Sequence, residues 1–235
     1  MAATIAIRTI SLNAIGGECW TALLDLLDSD EQRRALSFVF ERHRQQFVVA
    51  HALKRLMISA VTGSPPRSLR FKAVCGSKPW LYPTGWPHFN LSHCEGMVAC
   101  AISLDIDVGI DVEPLNRADA LALADWCCSP TEQQWLTELP AANRPHGFMK
   151  MWTLKEAVLK AAGCGVRYLL RDLSVSVDPP GVTISDGILG KPDCWHVRQH
   201  CVGPRHVLAL AWRGPDAGVT LASGDVRSLL DELQA

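Results

Sequence analysis

The sequence has no C-x-x-C pair, no apolar run long enough to cross a bilayer and no surplus of either charge. Its best apolar stretch, Met97 to Leu104, stops at Asp105, far short of the roughly 20 residues that a spanning helix needs. Lys plus Arg number 23 and Asp plus Glu 24, a formal net charge of −1. Bulk positive charge therefore cannot hold this chain on nucleic acid or an anionic membrane, and any basic patch is local. No positive segment followed by an apolar block opens the chain, so no signal peptide is expected and the protein reads as cytoplasmic. The nine cysteines, mostly inside apolar runs, then read as buried free thiols in a reducing compartment. Cys194, His196, His200, Cys201 and His206 crowd together as zinc ligands do. Their positions fit two strands joined at Gly203-Pro204 better than they fit ligand pairs.

What remains is a folded globular chain: 235 residues, 48% hydrophobic and 20% charged, with core enough to need no staples. Thr4 to Ile10 alternates as a strand does. Asp30 is placed to cap one long helix carrying Arg33, Leu36, Phe40, Phe47, Leu53 and Met57, which ends before Gly63-Ser64-Pro65-Pro66. Short strands follow at Phe71 to Cys75, from Phe89 to Ser92, at Val98 to Leu104 and at Asp107 to Glu113. Ser129-Pro130-Thr131-Glu132 is a capping box with proline at the first helical position. A helix over Phe148 to Ala162 stops at Gly163 and Gly165, and strands return at Leu173 to Val177, Val182 to Ile184, Cys194 to Cys201 and Val207 to Trp212. Val98 to Ile102 and Val207 to Ala211 occupy matching places. The expected fold class is α+β, built as two similar halves, 1–108 and 109–235.

Reactive side chains gather in three places. In Val108-Gly109-Ile110-Asp111-Val112-Glu113-Pro114, strand alternation sends Ile110 and Val112 one way and both acids the other. Neighbouring carboxylates repel unless a cation lies between them, and hard oxygen ligands suit Mg²⁺; the plain alternative is a solvated strand end. On the helix, Trp152, Glu156 and Lys160 fall on one row. A surface ion pair would account for the last two, but a tryptophan on that row sets it at the edge of a core. The third place is Lys78-Pro79 followed by Phe89-Asn90-Leu91-Ser92-His93. Ser92 and His93 point to opposite strand faces, which argues against a nucleophile–base pair; both can donate to phosphate oxygens, although a lone histidine near a turn is more often structural.

Taken in order, these segments resemble the 4'-phosphopantetheinyl transferases, in particular the large monomeric type that serves synthetases and fatty-acid synthases. The specific part is G-x-D-x-E at Gly109 to Glu113 followed by W-x-x-K-E-A-x-x-K at Trp152 to Lys160; its Trp and Ala match the W/KEA branch. The resemblance implies a 4'-phosphopantetheinyl transferase fold with pseudo-two-fold related subdomains. It also implies transfer of the phosphopantetheinyl arm of coenzyme A to a serine of an apo acyl, peptidyl or aryl carrier protein. Asp111, Glu113 and Glu156 would hold Mg²⁺, and Glu156 or Glu113 would take the serine proton. Lys160 and His93 would hold pyrophosphate oxygens, and Ser92, Lys78 and Arg44 the 3'-phosphate and adenine side. The carrier would meet the loop after Pro114, with Leu115, Arg117 and Trp126. Two fused halves sharing one cleft imply a monomer. Ser77-Lys78-Pro79 departs from the family's usual Gly-Lys-Pro, and Gln45 and Gln46 stand where arginine is common. Two other readings use the same groups: a non-catalytic module binding coenzyme A or a nucleotide, and a Mg²⁺-dependent phosphohydrolase.

Overall fold

The computed structural model describes residues 3–231 other than 13, 14, 16, 75, 76, 118, 165–169 and 185–188, so Cys75 and Gly165 lie outside the described residues. The N-terminal alternation produces β1 (Ala3–Ser11), followed by α1 (Gly17–Leu26), which the sequence reading missed. The single long helix expected from Asp30 onward is two helices, α2 (Ser29–Leu36) and α3 (Glu41–Thr62). Ser37-Phe38-Val39-Phe40 keeps helical spacing, but all four are weak helix formers, and Phe40 is extended at the start of α3. The cap of α2 is Asp28, whose carboxylate accepts the Asp30 and Glu31 amides, two residues before the expected Asp30. Gly63 closes α3 in the left-handed region at φ 69°.

β2 (Arg70–Lys72) and β3 (Trp80–Tyr82) form a short hairpin, and β4 (His88–Cys94) and β5 (Met97–Ser103) a longer one. β6 (Val108–Pro114) starts the second half. There follow α4 (Ala124–Cys127), α5 (Pro130–Glu138) behind its expected capping box, and α6 (Arg144–Ala162), ended by Gly163 at φ 69°. β7 (Ser174–Val177), β8 (Pro180–Ile184), β9 (Trp195–Val202) and β10 (His206–Arg213) complete the expected strands. Besides α1, four elements were not expected: β3, α4, β11 (Ala217–Asp225) and α7 (Val226–Asp231).

The class is α+β. One sheet has the order β11-β1-β5-β4 and the other β6-β10-β9. The element order strand, helix, hairpin, strand, strand occurs twice, as β1-α3-β2-β3-β4-β5 and β6-α6-β7-β8-β9-β10. Each time the first strand pairs antiparallel with the last, and the last with the one before it. β5 and β10, the two matching apolar strands, are both central; β5 is buried along its whole length and β10 in all but Arg213. β11 breaks the repeat: it pairs parallel to β1, so the C-terminal strand belongs to the sheet of the N-terminal half. The layers are α3, first sheet, second sheet, α6. Leu53 and Phe89 lie in the first helix–sheet core, Ile5 and Leu210 between the sheets, and Leu154 and Ala209 under α6.

Each half is pinned by a buried cation cluster. Lys54 Nζ reaches Glu31 Oε1 at 2.8 Å, and Arg55, wholly buried, joins Glu31, Asp28 and the Pro66 and Leu69 carbonyls. In the second half, Lys155 Nζ reaches Glu132 Oε2 at 2.5 Å and donates to the Cys127 and Leu170 carbonyls. Glu31 and Glu132 hold the same place in α2 and α5, the third helical residue, and Leu69 and Leu170 both precede a hairpin. Burial pushes the Glu31 carboxyl upward. The His51 hydrogen bond, the Lys54 charge and the Arg55 contact overcome that and hold it far below its ordinary value. A carboxylate held low stabilises the fold above its unfolded pKa, and that stability is lost as pH falls. The melting temperatures of wild type and Glu31→Gln, taken from pH 6 to pH 3, should therefore converge below about pH 4.5. A gap that stays constant to pH 3 would assign the stabilisation to packing instead.

Cys100, Cys127 and Cys128 are buried, whereas Cys194 and Cys201 are exposed, which corrects the expectation of buried thiols throughout. His196 stacks on Trp212, and His206 Nε2 faces the Glu95 carbonyl at 2.8 Å, so these histidines of the zinc-like cluster serve the sheet. Among the described residues no helix is long and apolar enough to cross a membrane.

Candidate active site

β6 and α6 cross at Gly109. A Cβ there would lie 2.0 Å from the Ala157 carbonyl oxygen and 2.3 Å from the Ala161 amide nitrogen, so only glycine permits the approach. This crossing puts the outward row of α6 directly over the acid-bearing face of β6. The even residues of β6, Val108, Ile110 and Val112, enter the core between the sheets, as alternation requires.

Above the crossing is a cleft of about 270 Å³ lined by Ser92, His93, Asp111, Glu113, Glu156 and Lys160, with Leu91 and Trp152 at its margins. Three sequence segments thus converge in one place. Asp111 is 3% exposed and its two oxygens differ. Oδ1 accepts Lys160 Nζ at 2.6 Å and Ser92 Oγ at 2.8 Å, while Oδ2 is buried with no partner. Glu113 and Glu156 stand half-buried on the same cleft. Burial, and after it the Asp111 charge, pushes the Glu113 carboxyl up to about 7; burial and then Asp111 raise Glu156 as well, against the pull of Lys160. Among the described residues no three His, Cys, Asp or Glu side chains stand close enough to form a finished metal shell. Lys160 supplies the cation on Asp111. Desolvation, with the Lys160 and His43 charges, lowers the pKa of His93.

The other predicted residues are elsewhere. Lys78 Nζ bonds the Val108 carbonyl at 2.8 Å and Asp107 at 2.9 Å. It lines a second cleft of about 400 Å³ that passes Trp80 and His88 and reaches Gly163 at the end of α6. Arg44 lines neither cleft: its Nη2 takes the Phe38 carbonyl at 3.0 Å between α2 and α3, and its Nε is buried without a partner. His43, the neighbouring residue, is the α3 group whose charge bears on His93.

Sequence reasoning missed Asn90, whose Oδ1 accepts the Ile110 amide at 2.9 Å, and the packing role of Gly109. A polar Asn set between the apolar Phe89 and Leu91 on a strand was the available signal for the first. Helical geometry turns Lys155 by about 100° from Glu156, onto a neighbouring face of α6. Lys155 is 1% exposed and turned wholly inward.

The 4'-phosphopantetheinyl transferase superfamily profile matches residues 107–211, and the 4'-phosphopantetheinyl transferase N-terminal profile matches residues 16–104. The chain is 32% identical over 157 residues to the 4'-phosphopantetheinyl transferase HetI of Nostoc sp., covering 65% of this chain and 66% of that protein. It is 30% identical over 194 residues to the 4'-phosphopantetheinyl transferase psf-1 of Bacillus pumilus, covering 80% of each. A holo-(acyl-carrier-protein) synthase of Bacillus anthracis, solved in complex with CoA (3',5'-ADP), superposes with a TM-score of 0.39 at 18% identity, over 47% of this chain and 97% of that one.

Proposed function

The chain belongs to the 4'-phosphopantetheinyl transferase superfamily, and from that premise we propose that the cleft over Gly109 moves the 4'-phosphopantetheine arm of coenzyme A onto a serine of an apo carrier protein, leaving adenosine 3',5'-bisphosphate. The observation that carries this reading is the convergence of Asp111, Glu113 and Glu156 on one cleft beside Lys160. Three carboxylates so placed call for positive charge, and the buried, unpartnered Oδ2 of Asp111 is an acceptor in want of a cation. An all-oxygen set suits Mg²⁺, so the residues fit that ion. Asp111, Glu113 and Glu156 would hold it, and when bound it neutralises the pyrophosphate.

The chain's own groups do the rest. Lys160 holds pyrophosphate oxygens as charge moves to the leaving group, and phosphoryl transfer depends mainly on such positioning and neutralisation. His93, kept neutral at the mouth of the cleft, donates one ring N–H to the same oxygens. Glu156 or Glu113 takes the serine proton, and a carboxyl poised near neutrality is suited to that task. The adenine and 3'-phosphate end occupies the second cleft, where Lys78 has one ammonium proton not spent on Asp107 or Val108. Exposed Trp126 and Leu121, on the segment after Pro114, offer apolar anchors to the carrier. One chain supplies every group that lines the cleft, which supports action as a monomer.

Incubation with coenzyme A, Mg²⁺ and an apo carrier should add about 340 Da to the carrier, read by intact mass. A binding module leaves the carrier unchanged, and a hydrolase consumes coenzyme A without it; either result would refute the transferase reading. Glu156→Gln should lose transfer yet melt no lower than wild type in the absence of metal, because it removes a partly desolvated charge facing Asp111. Near-normal transfer by that variant would remove Glu156 from the site.

A further inference from the structure

β6 is hydrogen-bonded to β10 along one edge, through Gly109, Asp111 and Glu113, which face Ala211, Ala209 and Val207. Among the described residues no strand is hydrogen-bonded to its other edge: the second sheet ends there, at β6. An unpaired edge at a buried seam leaves donors and acceptors that need partners. Here side chains supply them at every second residue. Lys78 Nζ donates to the Val108 carbonyl, Asn90 Oδ1 accepts the Ile110 amide, and Ser92 Oγ accepts the Val112 amide at 3.2 Å. Asn90 and Ser92 are two residues apart on β4, the outermost strand of the first sheet. They repeat with the same period as the amides they meet.

The bonding capacity of Ser92 is fully used. A hydroxyl has one proton and accepts about two hydrogen bonds. The Val112 amide and the Lys160 ammonium only donate, so both take the acceptor side of Oγ. The Ser92 hydroxyl donates its one proton to Asp111 Oδ1 at 2.8 Å. A phosphate is also an acceptor, and Ser92 has no second proton to give it. The same oxygen therefore ties the Val112 backbone to the Asp111 side chain and fixes that carboxylate's rotation.

We propose that Asn90 and Ser92 are positioning residues that replace a missing strand along β6, holding Asp111 and Glu113 in register over α6, and that Ser92 does not act as a coenzyme A phosphate ligand. This rests on the transferase reading for its kinetic consequences but not for the side-chain ladder itself. Asn90→Leu keeps the shape and deletes the acceptor; Ser92→Ala deletes one oxygen.

Amide hydrogen exchange of the full-length protein tests the ladder without any activity. Exchange at Ile110 in Asn90→Leu, and at Val112 in Ser92→Ala, should rise about tenfold or more, while Leu210 on the β10 side stays protected. Kinetics then separate the roles. Both variants should lose kcat about ten- to a hundredfold, with KM for coenzyme A within about threefold of wild type, because the misplaced group is an acid and not a binding contact. Both should also need more Mg²⁺ for half-maximal rate. Ser92→Ala should bind coenzyme A under chelator as wild type does and keep the wild-type preference for coenzyme A over 3'-dephospho-coenzyme A. Unchanged exchange at Val112, together with loss of that preference, would overturn the proposal and make Ser92 a phosphate ligand. If Asn90→Leu does not fold, Ser92→Ala decides alone. A wild type without transfer activity would sink the transferase reading while the exchange result still stands.

Discussion

Lys155→Met should lower the melting temperature by roughly 6–20 °C, the size expected when a buried ion pair worth about 3–5 kcal/mol is broken in a chain of this length. Lys155 is 1% exposed and Glu132 3%. Methionine fills the same space, so packing is largely kept and the loss falls on charge. Glu132 also accepts the Ser129 amide at 2.7 Å and the Val175 amide at 2.8 Å, so it ties α5 and β7 to α6 through this one lysine. Left without the ammonium it is an unpaired buried carboxylate. Lys155 additionally satisfies the Cys127 and Leu170 carbonyls, which methionine cannot do. The double variant Lys155→Met, Glu132→Gln should recover part of the loss, because the stranded charge has gone. No recovery would assign the destabilisation to packing.

Lys160→Ala should behave in the opposite way. Lys160 is half-buried at the rim of the cleft, and among the described residues its ammonium bonds only Asp111 and Ser92. Removing a group that neutralises charge built up in the transition state costs about 3–4 kcal/mol, a few hundred-fold in kcat, with weaker effects on KM. Its melting temperature should stay within a few degrees of wild type. The two lysines are five residues apart on one helix, and melting curves beside steady-state kinetics should cross: one variant unstable but active per folded molecule, the other stable but slow. Two variants that fail in the same way would mean that α6 does not separate a structural from a catalytic face.

Helical period alone was enough to place Trp152, Glu156 and Lys160 on one row, because α6 is regular up to its expected stop at Gly163, and its start at Arg144, ahead of the expected Phe148, leaves that row unchanged. Strand alternation was enough to put Asp111 and Glu113 together, because β6 has a buried face on its even residues. Periodicity says which way a residue points on its own element and nothing about what stands opposite. Hence Lys155 was put on a neighbouring face but not in the interior, where its partner Glu132 lies on another helix. The split between α2 and α3 was hidden because the apolar residues around Phe38 keep helical spacing through the break. β11 was missed for a different reason. It is a mostly exposed edge strand with no charge before Asp225, and among the described residues its ladder is parallel to β1, at the far end of the chain. Nothing local in Ala217–Asp225 signals a partner that distant.

Gly109→Ala should damage both fold and activity, more than any other single methyl group added at a described glycine. The added carbon would sit 2.0 Å from the Ala157 carbonyl oxygen and 2.3 Å from the Ala161 amide nitrogen. Both are helix backbone atoms, so no side-chain rotation relieves the contact; β6 and α6 must part by about 1 Å or more. Overpacking of this kind costs at least about 1–3 kcal/mol. The same displacement lifts Glu156 and Lys160 off Asp111, and a misplacement of about 1 Å costs on the order of a hundredfold in rate. Gly17→Ala is the control, since nothing lies within 4 Å of a Cβ there. Melting temperature and kcat should both fall for Gly109→Ala and stay near wild type for Gly17→Ala. Truncating a neighbour with Ala161→Gly should not rescue Gly109→Ala, because the clash is with main-chain atoms that glycine retains. Rescue by that second change, or a Gly109→Ala enzyme of normal rate, would show that β6 and α6 do not meet at Gly109 and that the acids and Lys160 are brought together by some other contact.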